Sequence, residues 1–242
     1  RVVEKVCALC KETGLDGFQI SNNLADPAVV QTYVDCVKRY GLKVAGACVQ
    51  FPDKSAEGIA RYAQRIDTVA QVAAATGGDA VVMLPSFGED DDLLDPRGKL
   101  IEARRTQLID ALKVLAPHAE KQKVFLSLEN RLGADGNKRI IDAVNSPAVN
   151  VYLDTYNIEE SGHKAPQEIR KLKGFIGQVH IKCNTNTLAT STIPDIPECL
   201  QALLDIGYSQ WLVFEHYKKP VDEVKPWLIE NTRYLKASKL FA

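Results

Sequence analysis

Four short apolar runs end in residues that bind metals or move protons. Val124 to Leu128 is followed by Glu129, and Val151 to Leu153 by Asp154. Ile176 to Val179 is followed by His180, and Trp211 to Phe214 by Glu215. Buried parallel strands read as near-continuous apolar runs. In a barrel of such strands, reactive groups sit where the strands end. Any one of these carboxylates alone reads as a helix cap or salt-bridge partner, and His180 alone as a hydrogen-bonded structural histidine. Together they read as a site, because the shared position at the run ends carries the coincidence. Oxygen and imidazole donors suit one divalent metal ion (Mn, Mg, Co or Zn). Three carboxylates drawn to one point are costly without such a cation. A cation there polarises a carbonyl and stabilises an enediolate. Glu129 and Glu215 come from different runs, so they could flank one substrate carbon, one taking a proton and the other returning it.

Further polar groups fall at the same ends. Lys182 lies two residues after His180, on the same side of an extended strand. It is expected to contact a substrate oxygen or phosphate, or else to pair with a rim acid. Asn157, three residues after Asp154, is a candidate for a sugar hydroxyl, with a turn asparagine as the alternative. Arg131 is a candidate substrate contact or ion-pair partner, and His216 and Tyr217 are further candidate contacts. Gln50, Phe51, Met83 and Phe87 are expected to line a pocket wall or pack the core. His118 and His163 read as surface residues.

The elements that would position these groups alternate. Helices are expected over 2–12, 27–40, 56–76, 99–121, 137–144, 166–172, 196–206 and 221–237. Apolar positions at helical spacing (Ile59, Ala63, Ile66, Val69) mark the third of these. Strands are expected at about 17–20, 42–49, 79–84, 124–128, 151–154, 176–180 and 211–215, and residues 184–195 read as a Thr/Asn/Ser-rich loop. With no composition break, the whole of 1–242 reads as a single α/β domain with a parallel sheet. The fold class expected is a TIM (β/α)8-type barrel. An eighth strand is needed to close such a barrel, and the first strand is the one without a counterpart in the chain. An open doubly wound sheet is the runner-up, and it would carry a glycine-rich phosphate turn that the sequence lacks.

Composition narrows the partners. The 242 residues carry 30 basic and 31 acidic side chains, a net charge of -1, so no basic surplus addresses a nucleic-acid backbone. No apolar stretch reaches the length of a membrane span. Expected partners are a small-molecule carbohydrate, with no nucleic acid and no membrane; a homo-oligomer is left open. Six cysteines include Cys7 and Cys10, whose helical spacing places both on one apolar face as buried thiols. A cytoplasmic location is expected, with export left open by a start that falls directly on a helix.

In order along the chain, Gly14-Leu15-Asp16-Gly17-Phe18-Gln19-Ile20-Ser21, Leu128-Glu129-Asn130, Ser146-Pro147-Ala148-Val149, Leu153-Asp154-Thr155-Tyr156-Asn157, Val179-His180-Ile181-Lys182 and Asp205-Ile206-Gly207-Tyr208 with Trp211 to Glu215 resemble the xylose isomerase-like TIM-barrel superfamily, in particular its sugar phosphate isomerase/epimerase branch. The resemblance implies a divalent metal held by Glu129, Asp154, His180 and Glu215, with the two glutamates as acid/base pair. Departures are Cys183 in place of the acid of an H-x-K-D segment, Leu188-Ala189-Thr190-Ser191 in place of Leu-Gly-Glu-Gly, and Asn157 where related enzymes often have histidine. The expected activity is a metal-dependent isomerase or epimerase of a keto sugar or sugar phosphate. A lyase or dehydratase on a keto sugar or inosose begins with the same proton abstraction. A non-catalytic sugar-binding barrel is the remaining alternative. The abasic-site endonucleases of this fold need a histidine-rich trinuclear zinc site, which four histidines do not supply.

Overall fold

A computed structural model describes residues 2–21, 24–51, 53–86, 92–215 and 220–241. Helices and strands alternate in the order α1 (Val2–Thr13), β1 (Gly17–Ile20), α2 (Pro27–Tyr40), β2 (Lys43–Cys48), α3 (Ala56–Thr76), β3 (Val81–Pro85), α4 (Glu102–Gln122), β4 (Phe125–Glu129), α5 (Ala134–Val144), β5 (Val149–Asp154), α6 (Thr155–Glu160), α7 (Ala165–Lys171), β6 (Ile176–Ile181), α8 (Ile196–Asp205), β7 (Leu212–Phe214) and α9 (Val221–Lys236). Local chemistry sets several boundaries. Asp26 accepts the Ala28 N–H ahead of Pro27, and Gly41 ends α2 in the left-handed conformation. Ser55 and Gly77 do the same for α3.

The strands form one parallel sheet in the order β1-β2-β3-β4-β5-β6-β7. A doubly wound sheet reverses its strand order midway; this sheet never does, and it curls into a nearly closed TIM barrel. Alternate residues divide the two faces. Val82, Leu84, Leu126, Leu128, Val151, Leu153 and Val179 point outward into the main core beneath the helices, beside Ile66, Leu112, Ile140 and Ile169. Val81, Met83 and Tyr152 fill the barrel interior with Cys48 and Val213. The inward register that holds Tyr152 also carries Asp154, two residues on.

Among the described residues no eighth strand stands between β1 and β7, and the barrel has a gap there. It is a cavity of about 880 Å³ lined by Gly17, Phe18 and Gln19 on one side and Leu212, Val213 and Phe214 on the other. The cavity reaches His180 and Glu215. Trp211 also lines it. A Cβ on Gly17 would lie 3.0 Å from the Trp211 ring and 2.0 Å from the Lys43 carbonyl oxygen, so only glycine fits between them.

Four expectations need correction. Helix α6 was not anticipated; residues 155–160 coil because Asp154 caps them. Helix α5 begins at Ala134 rather than 137, because Glu168 accepts the Ala134 N–H from across the fold. Helix α4 begins at Glu102 rather than 99, since Leu94 and Leu100 form an isolated antiparallel bridge first. The loop 184–195 contains a single 3-10 turn, Leu188–Thr190. Cys7 and Cys10 are buried free thiols, as their spacing predicts, and burial pushes both up to about 11. Among the described residues, no helix is long and apolar enough to cross a membrane.

Candidate metal centre

Glu129 is the last residue of β4, Asp154 the last of β5, and His180 lies near the end of β6. Glu215 directly follows β7. Asp154 and His180 are register partners on adjacent strands. One ligand atom from each of the four lies within 4.8 Å of the others. The His180 Nδ1 is the point of convergence. It sits 2.9 Å from Glu129 Oε1, 3.6 Å from Glu215 Oε2 and 3.9 Å from Asp154 Oδ2. Among the described residues, no other group of histidines, cysteines and acids has this spacing.

Asp154 divides its carboxylate between two tasks. Oδ1 accepts the N–H groups of Tyr156 at 2.8 Å and Asn157 at 2.7 Å, capping α6. Oδ2 is buried, has no hydrogen-bond partner, and faces the other three residues of the group. A buried carboxylate oxygen left bare is expensive, and a divalent cation satisfies it. The set of three carboxylates and one imidazole therefore fits a hard or borderline divalent ion.

The electrostatics agree with crowding. Burial pushes the Asp154 carboxyl well above the usual carboxylate range, and the neighbouring Glu215 carboxylate pushes the same way against Lys182 and His180. Burial also raises Glu215, but the adjoining Asp154 carboxyl and the cations His180 and Lys182 outweigh that and hold it lower. For His180, burial disfavours the charged ring, yet Glu129 and the other carboxylates raise it above its ordinary value.

The rim candidates separate. Lys182 Nζ lies 3.0 Å from Glu215 Oε2 and 3.7 Å from Asp154 Oδ2, and donates to Asn157 Oδ1 at 3.1 Å. Lys182 and Asn157 thus meet at the cluster. Arg131 instead pairs with Asp92, a residue of the preceding loop. His216, Tyr217 and Phe87 lie outside the described residues. Met83 lines the cavity. Phe51 packs in the core against Tyr62, ring centroids 4.4 Å apart.

Several residues that shape the site were not singled out from the sequence. Tyr152 stands edge-on to the His180 ring, centroids 4.5 Å apart, and Gln19 donates to its hydroxyl at 3.1 Å. Its signal was available: it lies two residues before Asp154 and so shares its face. Thr155 donates to the Lys182 carbonyl at 2.8 Å and accepts the Lys182 N–H at 3.0 Å, locking the end of β6 to the start of α6. Asn130 accepts the Leu132 N–H and donates to Asn137, which fixes the turn after Glu129.

No curated protein sequence matches this chain. Solved structures do. A 3-keto-D-glucoside 4-epimerase from E. coli superposes with a TM-score of 0.79 at 19% identity, covering 98% of this chain and 94% of that one. A D-allulose 3-epimerase from Methylomonas sp., solved with D-allulose, gives 0.76 at 20% identity over 97% and 90%. A xylose isomerase-like TIM barrel protein from Mycobacterium smegmatis, solved with magnesium, gives 0.76 at 16% identity over 100% and 90%. At these identities the likeness is one of fold. Residues 7–238 match the family described as xylose isomerase-like TIM barrel. With that match spanning nearly all of the barrel, the chain belongs to the xylose isomerase-like TIM barrel family.

Proposed function

We propose that this protein is a divalent-metal-dependent isomerase or epimerase of a keto sugar or sugar phosphate. The observation that carries the proposal is the convergence of Glu129, Asp154, His180 and Glu215, with a buried Asp154 oxygen that accepts no hydrogen bond facing the group. The sugar epimerases among the structural neighbours support the substrate class. Neighbours solved with magnesium and with zinc support a bound divalent metal without choosing one.

When bound, the ion supplies electrostatic stabilisation for negative charge developing on the substrate oxygens. The chain's own residues do the rest. One of Glu129 and Glu215 removes the proton from the carbon beside the carbonyl, and the other delivers a proton to the opposite face. Glu129 is buried, while the Glu215 side chain keeps 38% exposure beside the cavity, so the two differ in access to solvent. Lys182 and Asn157 contact sugar oxygens. Tyr152 braces the His180 ring edge-on, with its hydroxyl held by Gln19.

The test is metal content combined with a panel of ketoses, inososes and 3-keto-glycosides, assayed with manganese. The expected product has the substrate's mass and inverted or rearranged stereochemistry. An unsaturated chromophore would instead establish a lyase or dehydratase. Failure to bind any divalent metal would remove the enzyme reading and leave a sugar-binding barrel.

A further inference from the structure

Lys182 places a positive charge inside the group of ligands. Its side chain is 9% exposed, and its ammonium touches Glu215 Oε2 at 3.0 Å and approaches Asp154 Oδ2 at 3.7 Å. Those are the same two oxygens that face His180 Nδ1. The lysine is held there by construction. Thr155 bonds both its backbone N–H and its carbonyl, and Asn157 accepts from the ammonium at 3.1 Å. The cluster without metal is therefore not three bare carboxylates: two of them lie within ion-pair distance of a cation supplied by the chain.

We infer that Lys182 is an internal counter-cation that competes with the divalent metal for Glu215 and Asp154 and thereby sets the metal affinity of the site. This rests on the metal site proposed above. Two charges of like sign cannot both take the Oε2 side of Glu215 without repulsion, and in a buried site that repulsion is poorly screened. Entry of the metal breaks the Lys182–Glu215 contact and leaves the ammonium with Asn157. The device has two consequences. The metal-free barrel stays folded despite its crowded acids, and the metal is held less tightly than three carboxylates and an imidazole alone would hold it.

The experiment is titration of chelator-treated protein with Mn²⁺ alone, reading free Mn²⁺ by electron paramagnetic resonance, for the wild type, Lys182→Met, Lys182→Gln and Lys182→Arg. Thermal unfolding with and without Mn²⁺ accompanies it. Lys182→Gln keeps a donor toward Glu215 and guards against a folding failure of Lys182→Met. The expected result is Mn²⁺ binding tighter by roughly tenfold or more in the two uncharged variants, and within about threefold of wild type in Lys182→Arg, as loss of one buried like charge requires. The uncharged variants should also unfold at lower temperature without Mn²⁺ and gain more from adding it. Equal or weaker Mn²⁺ binding in Lys182→Met and Lys182→Gln overturns the inference and makes Lys182 a positioning residue for Glu215. Absence of binding in all four proteins overturns the metal site itself.

Discussion

His180 Nδ1 meets Glu129 Oε1 at 2.9 Å, although their strands are separated by β5. The contact passes over the end of the strand that carries Asp154, so three strands contribute to one point. Glu129→Gln keeps the shape of the side chain and removes the anion. Turnover should fall by about 10²–10⁴-fold, the range for losing a positioned acid/base group, with the fold intact by circular dichroism. Retained turnover would mean that Glu129 moves no proton.

Asp154 separates capping from metal binding. Asn is as good an N-cap as Asp, so Asp154→Asn should keep α6 and relieve the crowding that pushes this carboxyl up. Its metal-free melting temperature should equal or exceed that of the wild type, while its stabilisation by Mn²⁺ disappears. Asp154→Ala loses the cap as well and should be less stable than Asp154→Asn by about 1 kcal/mol. Denaturant unfolding of both variants reads the difference.

Thr155→Val removes a hydroxyl that donates to the Lys182 carbonyl and accepts its N–H. Both backbone groups are buried, so the change should cost about 1–3 kcal/mol. It should also weaken substrate binding, because Lys182 loses its backbone anchor. An unchanged unfolding midpoint would show that the strand end holds without Thr155.

Glu168 gives the pH dependence. Burial raises its carboxyl, but the Ala134 N–H and Lys171 outweigh this and leave it below its ordinary value. A lowered acid contributes stability that is full above its unfolded value of about 4.5 and is lost as pH falls through the lower folded value. Glu168→Gln should therefore be less stable than the wild type at pH 7, by about 1.5–3 kcal/mol for a hydrogen bond to a charged group. The gap should narrow as pH falls from about 4.5 through the lower folded value, and close below it. Paired urea titrations at the two pH values measure it.

Much of the site was legible in the sequence because of strand geometry. A two-residue period places Asp154 and Tyr152 on one face, and apolar runs ending in Glu129, His180 and Glu215 mark strand ends without any alignment. The seven strands, their parallel order and the gap next to β1 follow from the same alternation of runs and helices. What was not legible depends on contacts across the fold. Arg131 finds Asp92, 39 residues earlier in the chain, and no local pattern announces that pairing. Helix α6 is short and lacks an apolar stripe, so its start is set by one Asp154 oxygen rather than by periodicity. The early start of α5 likewise depends on Glu168, 34 residues downstream of Ala134.

The central claim is proton transfer between Glu129, Glu215 and the carbon beside a sugar carbonyl. It is tested most directly by incubating the manganese-loaded protein with a ketose or 3-keto-glycoside substrate in D₂O. Deuterium at that carbon is followed by proton magnetic resonance. The account predicts solvent deuterium in the product, abolished by chelation and reduced by orders of magnitude in Glu129→Gln and Glu215→Gln. Product formed with its original hydrogen in place, or exchange that persists in either variant, would contradict it.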